Sequence, residues 1–230
     1  MGPEQFVDAV AALAFKNVFN PYSDRCEVHD MDDAPTRRAS ALTAMLTEAR
    51  SGDVDAIWIG RDLGYRGGRR TGLALTDDVH LQAHASRWGI ALERPTRGPA
   101  VAERTAAVIW SVLVRVPVPI FLWNVFPLHP HEPADPFSNR SHSAAERRAG
   151  EDLLAALVEL LCPRRLVAIG NDAAAAAHRI AGRIEVAQVR HPSYGGQADF
   201  LRQSGELYDL QEERGHITLP LFEVASVASE

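Results

Sequence analysis

The sequence predicts an α/β fold, a three-layer α/β/α sandwich built around a central four-stranded parallel sheet. Short apolar, β-branched runs recur along the chain, each ends in glycine or a polar residue, and amphipathic helical segments lie between them. A chain of 230 residues with 46% hydrophobic content can bury one sizeable core, so a single domain over residues 1–230 is expected.

Residues 1–20 read as a helix because Phe6, Val7, Val10, Leu13 and Ala14 share one face, with Asn20-Pro21 as its stop. Leu42, Met45 and Leu46 mark a second helix over 39–50. Val54-Asp55-Ala56-Ile57-Trp58-Ile59 reads as a buried strand that ends at Gly60. A helix over 100–114 leads to a second strand, Pro119-Ile120-Phe121-Leu122-Trp123-Asn124. The next helix, 143–161, opens on Ser143-Ala144-Ala145-Glu146, a capping box in which two side chains take up free backbone amides. It precedes a third strand, Arg165-Leu166-Val167-Ala168-Ile169-Gly170. Asn171 or Asp172 is expected to cap a helix over 173–181, and a fourth strand, 184–189, runs into Arg190-His191-Pro192-Ser193. In a parallel sheet covered on both faces, ligands bind at the carboxyl ends of the strands, so the polar residues after each strand are the place to look.

Composition narrows the setting. Cys26 and Cys162 lie far apart and form no CxxC pair, which points away from a disulfide framework, a cysteine-held zinc and an iron–sulfur cluster. The first residues carry no basic stretch followed by an apolar run, and no apolar segment reaches the ~20 residues of a membrane helix, so a cytoplasmic protein with no membrane partner is expected. A net charge of −6 argues against a protein that coats nucleic acid over its whole surface. Locally the balance differs: Arg61, Arg66, Arg69 and Arg70 stand among Gly64, Gly67 and Gly68, with Asp62 as the only opposing charge, and such a loop suits phosphates.

The strand ends supply Gly60-Arg61-Asp62, Trp123-Asn124, Gly170-Asn171 and His191-Pro192-Ser193. Singly, an Asp or Asn after a strand is a turn or cap residue, and a His before proline is a structural hydrogen-bonder. At successive strand ends of one parallel sheet they bring a carboxylate, an amide and an imidazole to one edge. Independent turns have no need to share a site.

Residues 60–77, which begin Gly-Arg-Asp-Leu-Gly-Tyr-Arg-Gly-Gly and contain Gly72-Leu73, resemble the first motif of the uracil-DNA glycosylases, in the form carried by the family-one enzymes. The strand ending at Asn124 resembles the one whose terminal Asn recognises uracil, and His191-Pro192-Ser193 is similar to the start of the intercalation loop. The resemblance spans about residues 54–200. It implies a DNA glycosylase that flips uracil from DNA and hydrolyses the N-glycosidic bond, with uracil-containing DNA as partner, free uracil as product, and no cofactor or metal. Asp62 and His191 are the implied catalytic residues. Asn124, Leu75, Gly60, Arg61 and Tyr65 are the implied uracil contacts, and Arg66, Arg69, Arg70, Pro192, Ser193, Tyr194 and Gly195 the implied DNA contacts. A monomer suits an enzyme that wraps a kinked duplex.

The chemistry agrees with these residue types. Cleavage builds positive charge on the sugar and negative charge on the departing base, which calls for a carboxylate near one and donors near the other. The departures from the family-one pattern concern the pocket wall. Gly64 replaces the Tyr that blocks a thymine methyl, Leu75 replaces a stacking Phe, and Gly195 replaces the leucine wedge. Tyr65 is a candidate to restore either ring, and Tyr194 or Phe200 to supply the wedge.

Three other readings carry less. His129, His131 and Asp135 invite a metal, but Pro127, Pro130, Pro133 and Pro136 make that segment a stiff loop. There is no P-loop and no GxSxG elbow. A non-catalytic nucleic-acid binder of the same fold, or a glycosidase acting on free nucleosides or nucleotides, remain as alternatives.

Overall fold

The computed structural model describes residues 1–210 of the chain. Helix α1 (Pro3–Ala11) is followed by the two-residue strand β1 (Val18–Phe19), helix α2 (Ala34–Ser51) and strand β2 (Ala56–Asp62). Helices α3 (Gly68–Thr71), α4 (Leu81–Arg87) and α5 (Arg104–Leu113) lead to strand β3 (Ile120–Phe126) and the short strand β4 (His129–Pro130). Then come α6 (Ala144–Leu161), β5 (Arg165–Ile169), α7 (Asn171–Ile180), β6 (Glu185–Val189) and α8 (Gln197–Leu207).

The main sheet has four strands in the order β3-β2-β5-β6, all parallel. Its side chains alternate between two cores, as the pleat requires. From β2, Ile57 and Ile59 enter one core while Ala56 and Trp58 enter the other; from β5, Leu166 and Ala168 part in the same way from Val167 and Ile169. Helices α1, α2, α6 and α7 cover the first face through Phe6, Leu42, Leu154 and Ala177, and α5 and α8 cover the second through Ile109 and Phe200. The result is the three-layer sandwich expected. Gly150 allows the close packing of α6 on β3, since a Cβ there would collide with the Val125 carbonyl.

The capping box at α6 forms as expected, with Ser143 Oγ accepting from Glu146 N (3.3 Å) and Glu146 Oε2 accepting from Ser143 N (2.6 Å). Three local expectations are corrected. The first helix stops at Ala11 because Asn20 folds back and its Nδ2 donates to the carbonyls of Val10, Ala11 and Leu13 (2.9, 3.2 and 3.0 Å). The released chain turns and pairs β1 with β4 in antiparallel fashion. Helix α2 starts five residues before 39, with Pro35 in its first turn, where a missing amide costs nothing. Helix α7 includes Asn171 and has Gly170 (φ 90°) at its cap position, so neither Asn171 nor Asp172 caps it; the Asn171 side-chain Oδ1 accepts from Gln188 Nε2 instead (2.9 Å). Helix α8 carries too few apolar residues to announce itself and is anchored by Phe200 against Trp58. Among the described residues, no helix is long and apolar enough to cross a membrane.

Candidate active site

The exits of β2, β5 and β6 surround a cleft of about 420 Å³ at the carboxyl edge of the sheet. Asp62, Leu75, Gly170 and His191 contribute to its wall, together with Glu103 and Arg140 from outside the strand exits.

Asp62 is the last residue of β2 and its side chain is 7% exposed. One carboxylate oxygen, Oδ2, accepts from Arg61 Nε at 2.9 Å, and the other, Oδ1, is bound by His142 Nδ1. Arg61 is 43% exposed and reaches a second carboxylate, Asp172, at 3.5 Å.

Asn124 lies directly beside Gly60 in the β2–β3 register. Its residue is 1% exposed, and neither its Nδ2 nor its Oδ1 has a hydrogen-bond partner. Leaving a buried polar group unpaired costs ~1–3 kcal/mol, and here both the donor and the acceptor of one amide are left free to take a partner. Gly60 makes this arrangement possible: a Cβ would run into Asn124 Oδ1 and stand 2.8 Å from Leu75 Cδ2. Leu75 holds a left-handed backbone (φ 55°) and faces the cleft from the same side.

His191 follows β6. Its Nδ1 accepts from the backbone N–H of Ser193 (3.2 Å) and lies 2.6 Å from Ser193 Oγ. An accepting Nδ1 places the ring proton on Nε2 and leaves that N–H free as a donor. Burial, then the cations Arg61 and Arg190, hold the imidazole below its ordinary pKa, which favours the neutral ring. Asp62 and His191 thus offer the cleft a fixed carboxylate and an N–H donor, while the Asn124 amide, which can donate and accept at once, lies buried beside Gly60 and is not part of the cleft wall.

The remaining sequence candidates divide sharply. Arg66 and Gly195 are exposed, Ser193 and Tyr194 line the cleft, and Pro192 is buried behind them. Tyr194 is 98% exposed with a left-handed backbone (φ 52°). Phe200 is fully buried against Trp58, which corrects its candidacy as a wedge. Tyr65 does not line the cleft; its amide donates to Asn139 Oδ1 (3.0 Å) and its ring lies 5.7 Å from the Arg66 guanidinium, so it restores neither missing ring of the pocket wall. Nothing stands within 4 Å of a Cβ placed on Gly64.

Arg69 and Arg70 are corrected outright as DNA contacts, because both are buried. Arg70 Nε binds Asp78 Oδ2 at 2.7 Å, and the Arg69 guanidinium lies between Phe19 and Phe137, 4.0 and 5.0 Å from the ring centroids. His129, from the segment weighed as a metal site, is buried, is held down to about 4 by burial and then by Arg69, and has its Nε2 2.8 Å from the Ser138 carbonyl. Sequence reasoning missed His142. The available signal was its place immediately before the capped start of α6, the helix that follows β3 and its loop.

A parallel sandwich with a polar cleft at the strand exits defines an α/β protein whose site is assembled from strand ends, and comparison with known proteins supplies the family. The model of the uracil DNA glycosylase superfamily matches residues 53–208, and the chain belongs to that superfamily. Among solved structures, wild-type SMUG2 from Pedobacter heparinus is similar in fold, with a TM-score of 0.59 at 12% identity over 89% of this chain and 95% of that one. No curated protein matches the chain.

Proposed function

We propose that this protein is a monofunctional DNA glycosylase that takes uracil out of DNA and hydrolyses its N-glycosidic bond, leaving an abasic site. The observation that carries the reading is the buried Asn124 amide with both polar atoms unpaired. A uracil edge satisfies both: the amide nitrogen donates to O4 and the amide oxygen accepts from N3–H, and in that orientation of the amide cytosine presents the reverse pattern and is refused.

In this mechanism the extruded base lies beside Gly60 and Leu75, and extrusion itself costs about a few kcal/mol. As the bond lengthens, charge grows negative on the base and positive on the sugar. His191 Nε2–H donates to O2 of the departing base, and Asp62 stabilises the sugar cation and orients the water that attacks C1′. Because the His191 ring is neutral, its hydrogen bond strengthens as charge develops, which lowers the barrier more than it tightens ground-state binding. Arg66 contacts a phosphate, and the exposed Tyr194 enters the gap in the stack. The open space at Gly64 and the aliphatic Leu75 give a pocket that accepts some 5-substituted uracils.

The test compares free-base release from a uracil-containing oligonucleotide and from deoxyuridine. The reading expects release from the oligonucleotide alone. Release from deoxyuridine at a similar rate means a nucleoside hydrolase, and oligonucleotide binding without release means a non-catalytic binder.

A further inference from the structure

Resting on the glycosylase reading, we infer that His142 is the positioning residue for the Asp62 carboxylate. A carboxylate oxygen accepts only, so His142 Nδ1 carries a proton and donates it to Oδ1. The two donors on Asp62 differ in kind. Arg61 approaches Oδ2 from the solvent side, is 43% exposed and is shared with Asp172, so a DNA phosphate at the cleft mouth competes for the same guanidinium. His142 approaches from the protein side, is nearly buried, and sets its ring edge-on to Phe126 with centroids 6.3 Å apart. Its backbone is fixed by the neighbouring Ser143, whose N–H and Oγ both belong to the capping box of α6. His142 is not part of the cleft wall, and its link to the cleft runs through the Asp62 carboxylate.

The consequence is directional. A water aligned on C1′ depends on the rotation of the Asp62 carboxylate, and a misplacement on the order of 1 Å costs about 10²-fold in rate. Once Arg61 is drawn to a phosphate, His142 alone holds that rotation.

The test uses single-turnover uracil release and oligonucleotide binding by the full chain carrying His142→Asn, His142→Gln or His142→Leu. An Asn amide nitrogen overlays Nδ1 and a Gln amide nitrogen overlays Nε2, so the polar pair separates positioning from bulk or polarity. The inference expects His142→Asn to keep most of the rate, and His142→Gln and His142→Leu to lose about 10²-fold with binding little changed. If His142→Leu fails to fold, the Asn and Gln pair decides. Wild-type rates in both amide variants, beside an inactive Asp62→Asn, would overturn the positioning role and leave the glycosylase reading standing. If the wild type releases no base, the glycosylase reading fails instead. The Nδ1 proton resonance of His142, expected downfield in the wild type and lost in Asp62→Ala, then decides the clamp by itself, and its absence from the wild type overturns it.

Discussion

Strand β2 leaves the sheet into packed protein, whereas β6 leaves it into solvent. After β2 the chain is covered on both sides of the exposed Arg66: Asp62 is held by two donors, Leu63 is buried, and Arg69 and Arg70 turn inward to aromatic rings and to Asp78. Between Arg190 and Gly195 only Pro192 is buried outright, His191 and Ser193 sit at the cleft wall, and Tyr194 and Gly195 project outward. The difference matches what the proposed mechanism asks of each exit. Groups that stabilise charge at one bond must be held within a fraction of an ångström, which packing provides. A group that meets a large polymer needs reach and exposed surface, which packing would deny.

Asp62→Asn attacks the packed exit and should give the largest effect. It removes the charge that faces the sugar cation and leaves the side-chain volume unchanged. Single-turnover uracil release should fall by about 10²–10³, the usual loss for one well-placed electrostatic stabiliser, with oligonucleotide affinity retained. A rate near wild type would mean that the packed exit is only structural.

Tyr194→Gly attacks the exposed exit. Removing the ring takes away one stacking contact, worth ~1–3 kcal/mol, and Gly accepts the left-handed backbone without strain. Inhibition by abasic product should weaken about tenfold while the chemical step and the melting temperature stay close to wild type. A slowed chemical step with unchanged product affinity would assign Tyr194 to the reaction instead.

Arg190→Gln sharpens the boundary between the two exits, with the smallest expected effect. In the proposed mechanism His191 acts as a neutral ring, and its pKa is held down by burial, then by Arg61 and Arg190. The rate should therefore stay level as pH falls through ~6.5, the ordinary histidine value, and decline only in more acidic solution. Removing one cation raises the His191 value and moves that acid limb to higher pH. A pH–rate profile in which the limb stays put or moves to lower pH would contradict the neutral-imidazole role.

Much of this architecture was legible because local pattern and tertiary structure agree. The apolar runs at 54–59, 119–124 and 165–170 become adjacent parallel strands, and parallel pairing alone carries Asp62 and His191 to one cleft. What was hidden came from contacts distant in sequence. The Gly- and Arg-rich stretch at 60–70 looks like a phosphate loop, and nothing local reveals that Phe19, Phe137 and Asp78 enclose two of its arginines. The early end of α1 depends on Asn20, which reads in the sequence as a stop and acts in space as an acceptor-seeking cap. His142 was hidden in the same way, since its partner Asp62 lies on another strand's exit.

The central claim is that the unpaired Asn124 amide reads a uracil edge, and Asn124→Asp tests it most directly. The change removes the donor to O4 while preserving shape. Single-turnover assays on matched oligonucleotides carrying uracil or cytosine should show wild type releasing uracil and not cytosine, and Asn124→Asp losing uracil release. Uracil excision by Asn124→Asp at the wild-type rate would contradict the account, because the amide would then have no part in reading the base.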